Sequence, residues 1–156
     1  MSSTIAVVDY SMGNLHSVSK ALEHVVQDGQ RVLVTSDADE IAGAEKVVFP
    51  GQGAARDCMR HLQETGLDSV VKQAAAEKPF LGICMGMQVL MAHSEENDGI
   101  ACMNLFDGEV RAFADDTLKA QMQSLKIPHM GWNQVVQKQE HPMWSGIDDK
   151  SRFYFV

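Results

Sequence analysis

Lys78-Pro79-Phe80-Leu81-Gly82-Ile83-Cys84-Met85-Gly86-Met87-Gln88-Val89-Leu90 is the stretch on which the fold turns. Behind the proline, Phe80, Leu81 and Ile83 make a short apolar run, which predicts a buried parallel strand. From Met85 onward, Met85, Gln88, Val89 and Ala92 recur at helical spacing and predict a helix. Joining the two is Gly82-Ile83-Cys84-Met85-Gly86, a Gly-x-Cys-x-Gly turn. This is the thiol form of the nucleophile elbow, in which a tight strand-to-helix turn forces the nucleophile into a strained backbone conformation. The flanking glycines answer a steric demand, because a Cβ at either would collide with the neighbouring strand or helix. A helix N-terminus directly behind Cys84 favours the thiolate. The same pentapeptide also suits a plain strand-to-helix turn in which Cys84 is a small inert residue. The rest of the chain has to decide between them.

The 156 residues match the length of one domain with a substantial core. With 45% hydrophobic and 22% charged residues the composition is that of an ordinary globular protein. A net charge of -8 argues against a nucleic-acid or anionic-membrane surface, because no basic cluster is present to neutralise phosphates. Cys58, Cys84 and Cys102 form an odd set without framework spacing, which fits a reducing compartment. Ile5-Ala6-Val7-Val8 is a strand-length run, far short of a membrane span, and no basic region precedes an apolar core. A cytoplasmic protein is expected.

Outward from the elbow, short apolar runs alternate with helical patterns. Ser3 to Asp9 predicts a first strand, followed by a helix with Leu15, Val18, Ala21, Leu22 and Val25 on one face and Asp28-Gly29 as its stop. Arg31 to Thr35 predicts a second strand, and Ser36-Asp37 opens a short helix ending near Ala42-Gly43. Glu45 to Pro50 is a third strand, and helical stretches run from Ala54 to Leu62 and from Leu67 to Ala76. With the strand at Phe80 to Ile83 and the helix from Met85, four β-α units follow in sequence. The expected fold is therefore α/β: an open, mostly parallel sheet covered by helices on both faces.

After Ser94 the character changes. Glu95 to Gly99 is a polar turn, and Gly108 to Phe113 alternates like a half-exposed strand. Ile127-Pro128-His129-Met130-Gly131-Trp132-Asn133 predicts an irregular loop, Gln134 to Gln137 a strand, and His141 to Ile147 a turn with a short helix. Arg152-Phe153-Tyr154-Phe155-Val156 is a strongly apolar strand candidate with no polar tail after it. Termini normally lie exposed. The expectation is one domain over 1–156, missing its C-terminal portion.

Open parallel sheets place their sites at the carboxyl ends of strands. The polar ends here are Asp9 to Asn14, Pro50-Gly51-Gln52-Gly53 and the Cys84 elbow. Two glycines after a strand let backbone N–H groups approach a ligand closely, as an oxyanion hole requires. They equally suit a plain tight turn.

Together these stretches resemble the class I (triad) glutamine amidotransferases, whose fold is flavodoxin-like. Phe49-Pro50-Gly51-Gln52-Gly53 resembles their oxyanion strand, and Gly82-Ile83-Cys84-Met85-Gly86-Met87-Gln88 their nucleophile elbow. Within the family the resemblance is to the glutaminase subunits of imidazole glycerol phosphate synthase, of histidine biosynthesis. It is carried by Asp9 to Leu15, Ser94-Glu95-Glu96, Pro128-His129-Met130-Gly131-Trp132-Asn133 and Arg152 to Val156. The resemblance implies hydrolysis of glutamine to glutamate and ammonia. The ammonia would be channelled to a (β/α)8-barrel cyclase subunit that makes imidazole glycerol phosphate and the aminoimidazole carboxamide ribotide. It implies Cys84 as the nucleophile that forms a γ-glutamyl thioester, and backbone N–H groups near Gly53 and Met85 as the oxyanion hole. Gln88 and Glu96 would hold the amino-acid end of glutamine, and Asn14, Met130, Trp132 and Tyr154 would face the cyclase.

One departure from the family pattern matters. The family's general base and its orienting carboxylate come from a His-x-Glu motif beyond the Phe-Tyr-Phe-Val strand, and this sequence ends at Val156. The one internal His-x-Glu is His93-Ser94-Glu95. On a continuous helix its nine-residue offset from Cys84 amounts to about 13 Å, too far for a base that must come within about 3 Å. Little or no glutaminase activity is expected of these 156 residues alone. Cys58 and Cys102 lack a glycine elbow and are expected to be structural. No Cys/His set has metal-ligand spacing, so neither metal nor other cofactor is expected. Two alternatives stay open: a non-catalytic cyclase-binding fragment, and another class I amidotransferase. A flavodoxin-like nucleotide binder lacks support, since no Gly-x-Gly-x-x-Gly or Walker loop is present.

Overall fold

The structure, a computed structural model, describes residues 3–112 and 128–156. Four strands, β1 (Ser3–Val8), β2 (Gln30–Thr35), β3 (Lys46–Gly51) and β4 (Phe80–Cys84), form a parallel sheet in the order β2-β1-β3-β4. Between them run α1 (Leu15–Val25), α2 (Ala38–Gly43), α3 (Ala55–Thr65) and α4 (Leu67–Glu77). The expected α/β architecture is present, and its cause is visible in the strands. Successive side chains of β1 point to opposite faces: Ala6 and Val8 enter one core with Val47, Phe49, Ile41, Leu62 and Val71. Ile5 and Val7 enter a second with Val48, which Leu15, Val18, Leu22 and Val26 of α1 and its cap cover. A strand buried on both faces has to be apolar throughout, which is why β1 reads as a continuous run.

The helix ends follow from their sequences. Asn14 caps α1, its side chain accepting from the Ser17 N–H at 3.3 Å. The covering face of α1 differs from the one expected: Ala21 and Val25 are exposed, and the half-buried stripe packed on the sheet runs 15-18-22-26 with the buried Ser19 between. The Ser19 hydroxyl donates to the His16 carbonyl at 3.0 Å, so a polar residue sits on that stripe at no cost in unpaired groups. Asp37 caps α2 by accepting from the Asp39 and Glu40 N–H groups at 2.9 and 3.0 Å.

The elbow helix is the main correction. Residues from Met85 form only one turn, α5 (Met85–Gln88), and Met91–Ser94 is a strand, β5. The carbonyls that a longer helix would use internally are taken by later residues. Met103 N–H donates to Val89 O at 2.8 Å, Leu105 N–H to Leu90 O at 2.9 Å and Cys102 N–H to Ala92 O at 3.0 Å. With Val89 and Leu90 buried, these long-range bonds override the helical period. A 3-10 turn (Glu96–Asp98), β6 (Ile100–Ala101) and β7 (Phe106–Val110) follow. β5 pairs antiparallel with β6 and parallel with β7. β4 is also less buried than expected: it is the edge strand of its sheet, and Leu81 is 44% exposed.

The chain divides into two compact units, Met1–Arg111 and Ala112–Val156. In the second, β8 (Gly131–Gln134) pairs antiparallel with β9 (Arg152–Phe155), setting Trp132 opposite Tyr154. Gly131-Trp132-Asn133 is thus strand rather than the expected loop, and the strand expected at Gln134 to Gln137 ends at Gln134. The short helix is a 3-10 turn, Pro142–Trp144, capped by His141 Nδ1 accepting from Met143 N–H at 3.2 Å. β9 is exposed at every residue, because a two-stranded ribbon holds itself by cross-strand pairs and buries neither face. Phe113 and Ile127, which the sequence assigns to a strand and a loop, lie outside the described residues. No helix among the described residues is long and apolar enough to cross a membrane.

Candidate active site

The elbow forms as its glycines require. Cys84 sits at φ 54, ψ -119, a conformation that L residues rarely adopt, and its side chain is exposed. Such a backbone costs of order 1–3 kcal/mol and persists only where the surroundings impose it. Those surroundings are backbone packed on backbone. A Cβ on Gly86 would lie 2.0 Å from the Phe49 carbonyl oxygen, and one on Gly82 2.9 Å from both Gly86 O and Met87 Cα. β3 supplies the wall, since its register places Pro50 beside Ile83 and Gly51 beside Cys84.

The Pro50-Gly51-Gln52-Gly53 stretch therefore reaches the nucleophile, but its two glycines do different work. Gly51 exists for packing: a Cβ there would meet Gly86 N at 2.5 Å, Tyr10 Oη at 2.7 Å and Met85 C at 3.0 Å. Gly53 carries the turn, at φ +82, with the Met12 methyl as its neighbour. Met85 opens α5, and the first N–H groups of a helix have no partner within it. Met85 follows Cys84 directly in sequence, and Gly53 lies two residues beyond Gly51, the register partner of Cys84.

Glu96 is exposed and one of its oxygens is engaged. Its Oε2 accepts from Ala55 N–H at 2.7 Å, at the start of α3, whose cap residue Ala54 makes no side-chain bond. A carboxylate at a helix N-terminus is favourable, so Glu96 caps α3 from 41 residues away. The Arg56 guanidinium donates to the Asn97 carbonyl and ties the same turn down. Gln88, half-buried, is the last residue of α5.

Two residues that the sequence reading did not place in the site lie beneath it. The buried Tyr10 hydroxyl donates to Cys58 Sγ at 3.6 Å, and the Cys58 thiol donates to the Gln52 carbonyl at 3.4 Å. Burial raises the ionisation of both, so both stay protonated donors. No local pattern signals this, because the partners are 48 residues apart. Cys102 is half-buried, and burial raises its thiol as well.

His93 does not lie on the Cys84 helix, so the helix-axis distance does not apply. It is on β5, opposite Glu109, and its Nε2 faces Gly99. Among the described residues no histidine hydrogen-bonds to the Cys84 thiol. Asn14 is occupied as the α1 cap. On the second unit Met130, Trp132 and Tyr154 are exposed by 55%, 62% and 53%, and the two rings meet edge to face at 5.6 Å.

The sequence model of the family described as glutamine amidotransferase class-I matches residues 6–156. The chain belongs to the class-I glutamine amidotransferases. This amidotransferase is 57% identical over 153 residues to the imidazole glycerol phosphate synthase subunit HisH of Pseudomonas putida, an alignment covering 98% of this chain and 71% of that protein. It is 57% identical over 156 residues to the subunit HisH 1 of Pseudomonas aeruginosa, covering 100% and 72%. To HisH of Thiobacillus denitrificans it is 58% identical over 157 residues, covering 100% and 68%. Among solved structures, the amidotransferase superposes on a peptidase E protein from Listeria monocytogenes with a TM-score of 0.52 at 17% identity, over 78% of this chain and 72% of that one. That likeness speaks to the fold alone.

Proposed function

We propose that this amidotransferase is the glutaminase subunit of an imidazole glycerol phosphate synthase and that Cys84 is its nucleophile. The observation that carries the reading is the exposed Cys84 at φ 54, ψ -119, held in register with Gly51 of the oxyanion strand. The similarity to HisH subunits of imidazole glycerol phosphate synthase supports the reading. In the proposed reaction the Cys84 thiolate attacks the γ-carbonyl carbon of glutamine. The carbonyl electrons move to oxygen, where the Gly53 and Met85 N–H groups receive the charge. The C–N bond then breaks, the nitrogen takes a proton and leaves as ammonia, and a γ-glutamyl thioester remains. Water adds to that carbonyl, the C–S bond breaks, and glutamate and free thiol are released. Gln88 and the free oxygen of Glu96 orient the amino-acid end, which makes the attack effectively intramolecular. The ammonia passes to a (β/α)8 cyclase, docked through Asn14 on the first unit and Met130, Trp132 and Tyr154 on the second.

Proton transfer needs a base, and His93 on β5 makes no bond to Cys84. That observation favours a second reading, in which these residues bind the cyclase without hydrolysing glutamine. Thiol mapping by mass spectrometry separates the two. A diazoketone analogue of glutamine should modify Cys84 and spare Cys58 and Cys102, and free glutamine should slow the modification at least severalfold. Iodoacetamide, which reports exposure alone, should not be slowed by glutamine. Labelling by the analogue without glutamine protection would leave only the cyclase-binding reading.

A further inference from the structure

The Gly51-Gln52-Gly53 backbone emerges from the sheet directly over two buried protonated groups. The Tyr10 ring, 1% exposed, is fixed against Phe49 with centroids 5.0 Å apart. Its hydroxyl fills the space that a side chain on Gly51 would need, and it donates to Cys58 Sγ, which in turn donates to Gln52 O. Cys58 itself is fully buried on α3. The relay has one direction: phenol O–H to sulfur, thiol S–H to carbonyl. The sulfur accepts the phenol proton on a lone pair, and its own proton goes to Gln52 O.

The consequence lies in the next atom along. A trans peptide is planar, with the C=O of one residue and the N–H of the next on opposite sides. Holding Gln52 O inward on the Cys58 thiol turns the Gly53 N–H to the opposite side, away from that thiol. A glycine follows, at φ +82, so no side chain at residue 53 restricts that peptide plane. Both Gln52 and Gly53 are exposed. Among the described contacts, the Cys58 thiol is the one side-chain donor to Gln52 O.

We infer that Cys58, oriented by Tyr10, is a positioning residue for the oxyanion hole: its thiol fixes the Gln52–Gly53 peptide so that the Gly53 N–H is presented to the developing oxyanion. The inference rests on Cys84 being the nucleophile, and deepens that reading. A hydrogen bond that acts on the oxyanion donor acts on the transition state more than on bound glutamine, so its loss lowers kcat and leaves KM in place.

The test is glutamine turnover by the complete enzyme with its cyclase partner, for Cys58→Ala, Cys58→Ser and Cys84→Ser. Cys58→Ala should lower kcat on the order of fivefold, the population change that one neutral hydrogen bond can hold, with KM unchanged. Cys58→Ser retains a donor of similar size and should restore most of kcat. The S–H stretching band of Cys58 in wild type should sit at the frequency of a bonded thiol and shift in Tyr10→Phe. Wild-type kcat in Cys58→Ala, or equal losses in the Ala and Ser variants, would overturn the inference while leaving the nucleophile assignment intact. Retained turnover in Cys84→Ser would instead refute the nucleophile assignment itself, and this inference with it.

Discussion

Gly86 bears the tightest contact in the molecule's glycine set, so Gly86→Ala is the most direct probe of how the elbow is built. The added Cβ would stand 2.0 Å from Phe49 O, 2.9 Å from Phe49 C and 3.1 Å from Pro50 C. All three are backbone atoms of β3, so no side chain can swing away to make room. Since real Cβ contacts stay beyond 3.0 Å, β3 and α5 must part by at least about 1 Å, in a region packed at crystal-like density. Overpacking of this kind costs about 1–3 kcal/mol, and a backbone wall puts the variant at the upper end. At about 4 °C per kcal/mol for a domain of this size, the melting temperature should fall by about 10 °C. The displacement also moves Gly51 away from Cys84, so labelling of Cys84 by a glutamine analogue should slow more than labelling by iodoacetamide. Gly43→Ala is the matched control: Gly43 ends α2 with nothing within 4 Å of its Cβ position. It should be neutral or stabilise by a few tenths of a kcal/mol, up to about 1. Calorimetry decides. A Gly86→Ala protein that melts with wild type would refute the steric account of the elbow.

Two further outcomes follow from the proposed roles. Glu96→Ala removes both the cap on α3 and the proposed ammonium partner, so urea denaturation should show a loss of about 1 kcal/mol and KM for glutamine should rise. Glu96→Gln keeps an acceptor for the Ala55 N–H and should keep most of the stability while KM still rises; an unchanged KM would remove Glu96 from the substrate clamp. Trp132→Ala should weaken capture of the cyclase at least about 30-fold, the effect of losing about 2 kcal/mol at an aromatic anchor. Unfolding of the sheet-bearing unit should stay unchanged, because Trp132 is 62% exposed; titration calorimetry with the same Kd as wild type would rule the ring out of the interface.

What the sequence determined by itself is the set of features whose cause is local. Apolar runs at β1 and β3 specify strands because both faces of such strands are covered. Asp37 and Asn14 specify helix starts because a side chain can reach the N–H two or three residues on. Gly82 and Gly86 marked the elbow because only glycine can let two backbones touch. Tertiary structure decided what depends on partners distant in the chain. The helix after Cys84 stops at Gln88 because carbonyls from Val89 to Ala92 are claimed by residues 102–106, and no pattern within the segment encodes that claim. Gly131-Trp132-Asn133 is strand because Phe153 to Phe155 lie opposite. Glu96 reaches Ala55, and Tyr10 reaches Cys58 and through it Gln52, across gaps of 41 and 48 residues. Periodicity and caps are readable because their interactions close within a few residues; a hydrogen bond whose two ends are separated by half a domain exists only after the sheet has ordered its strands β2-β1-β3-β4.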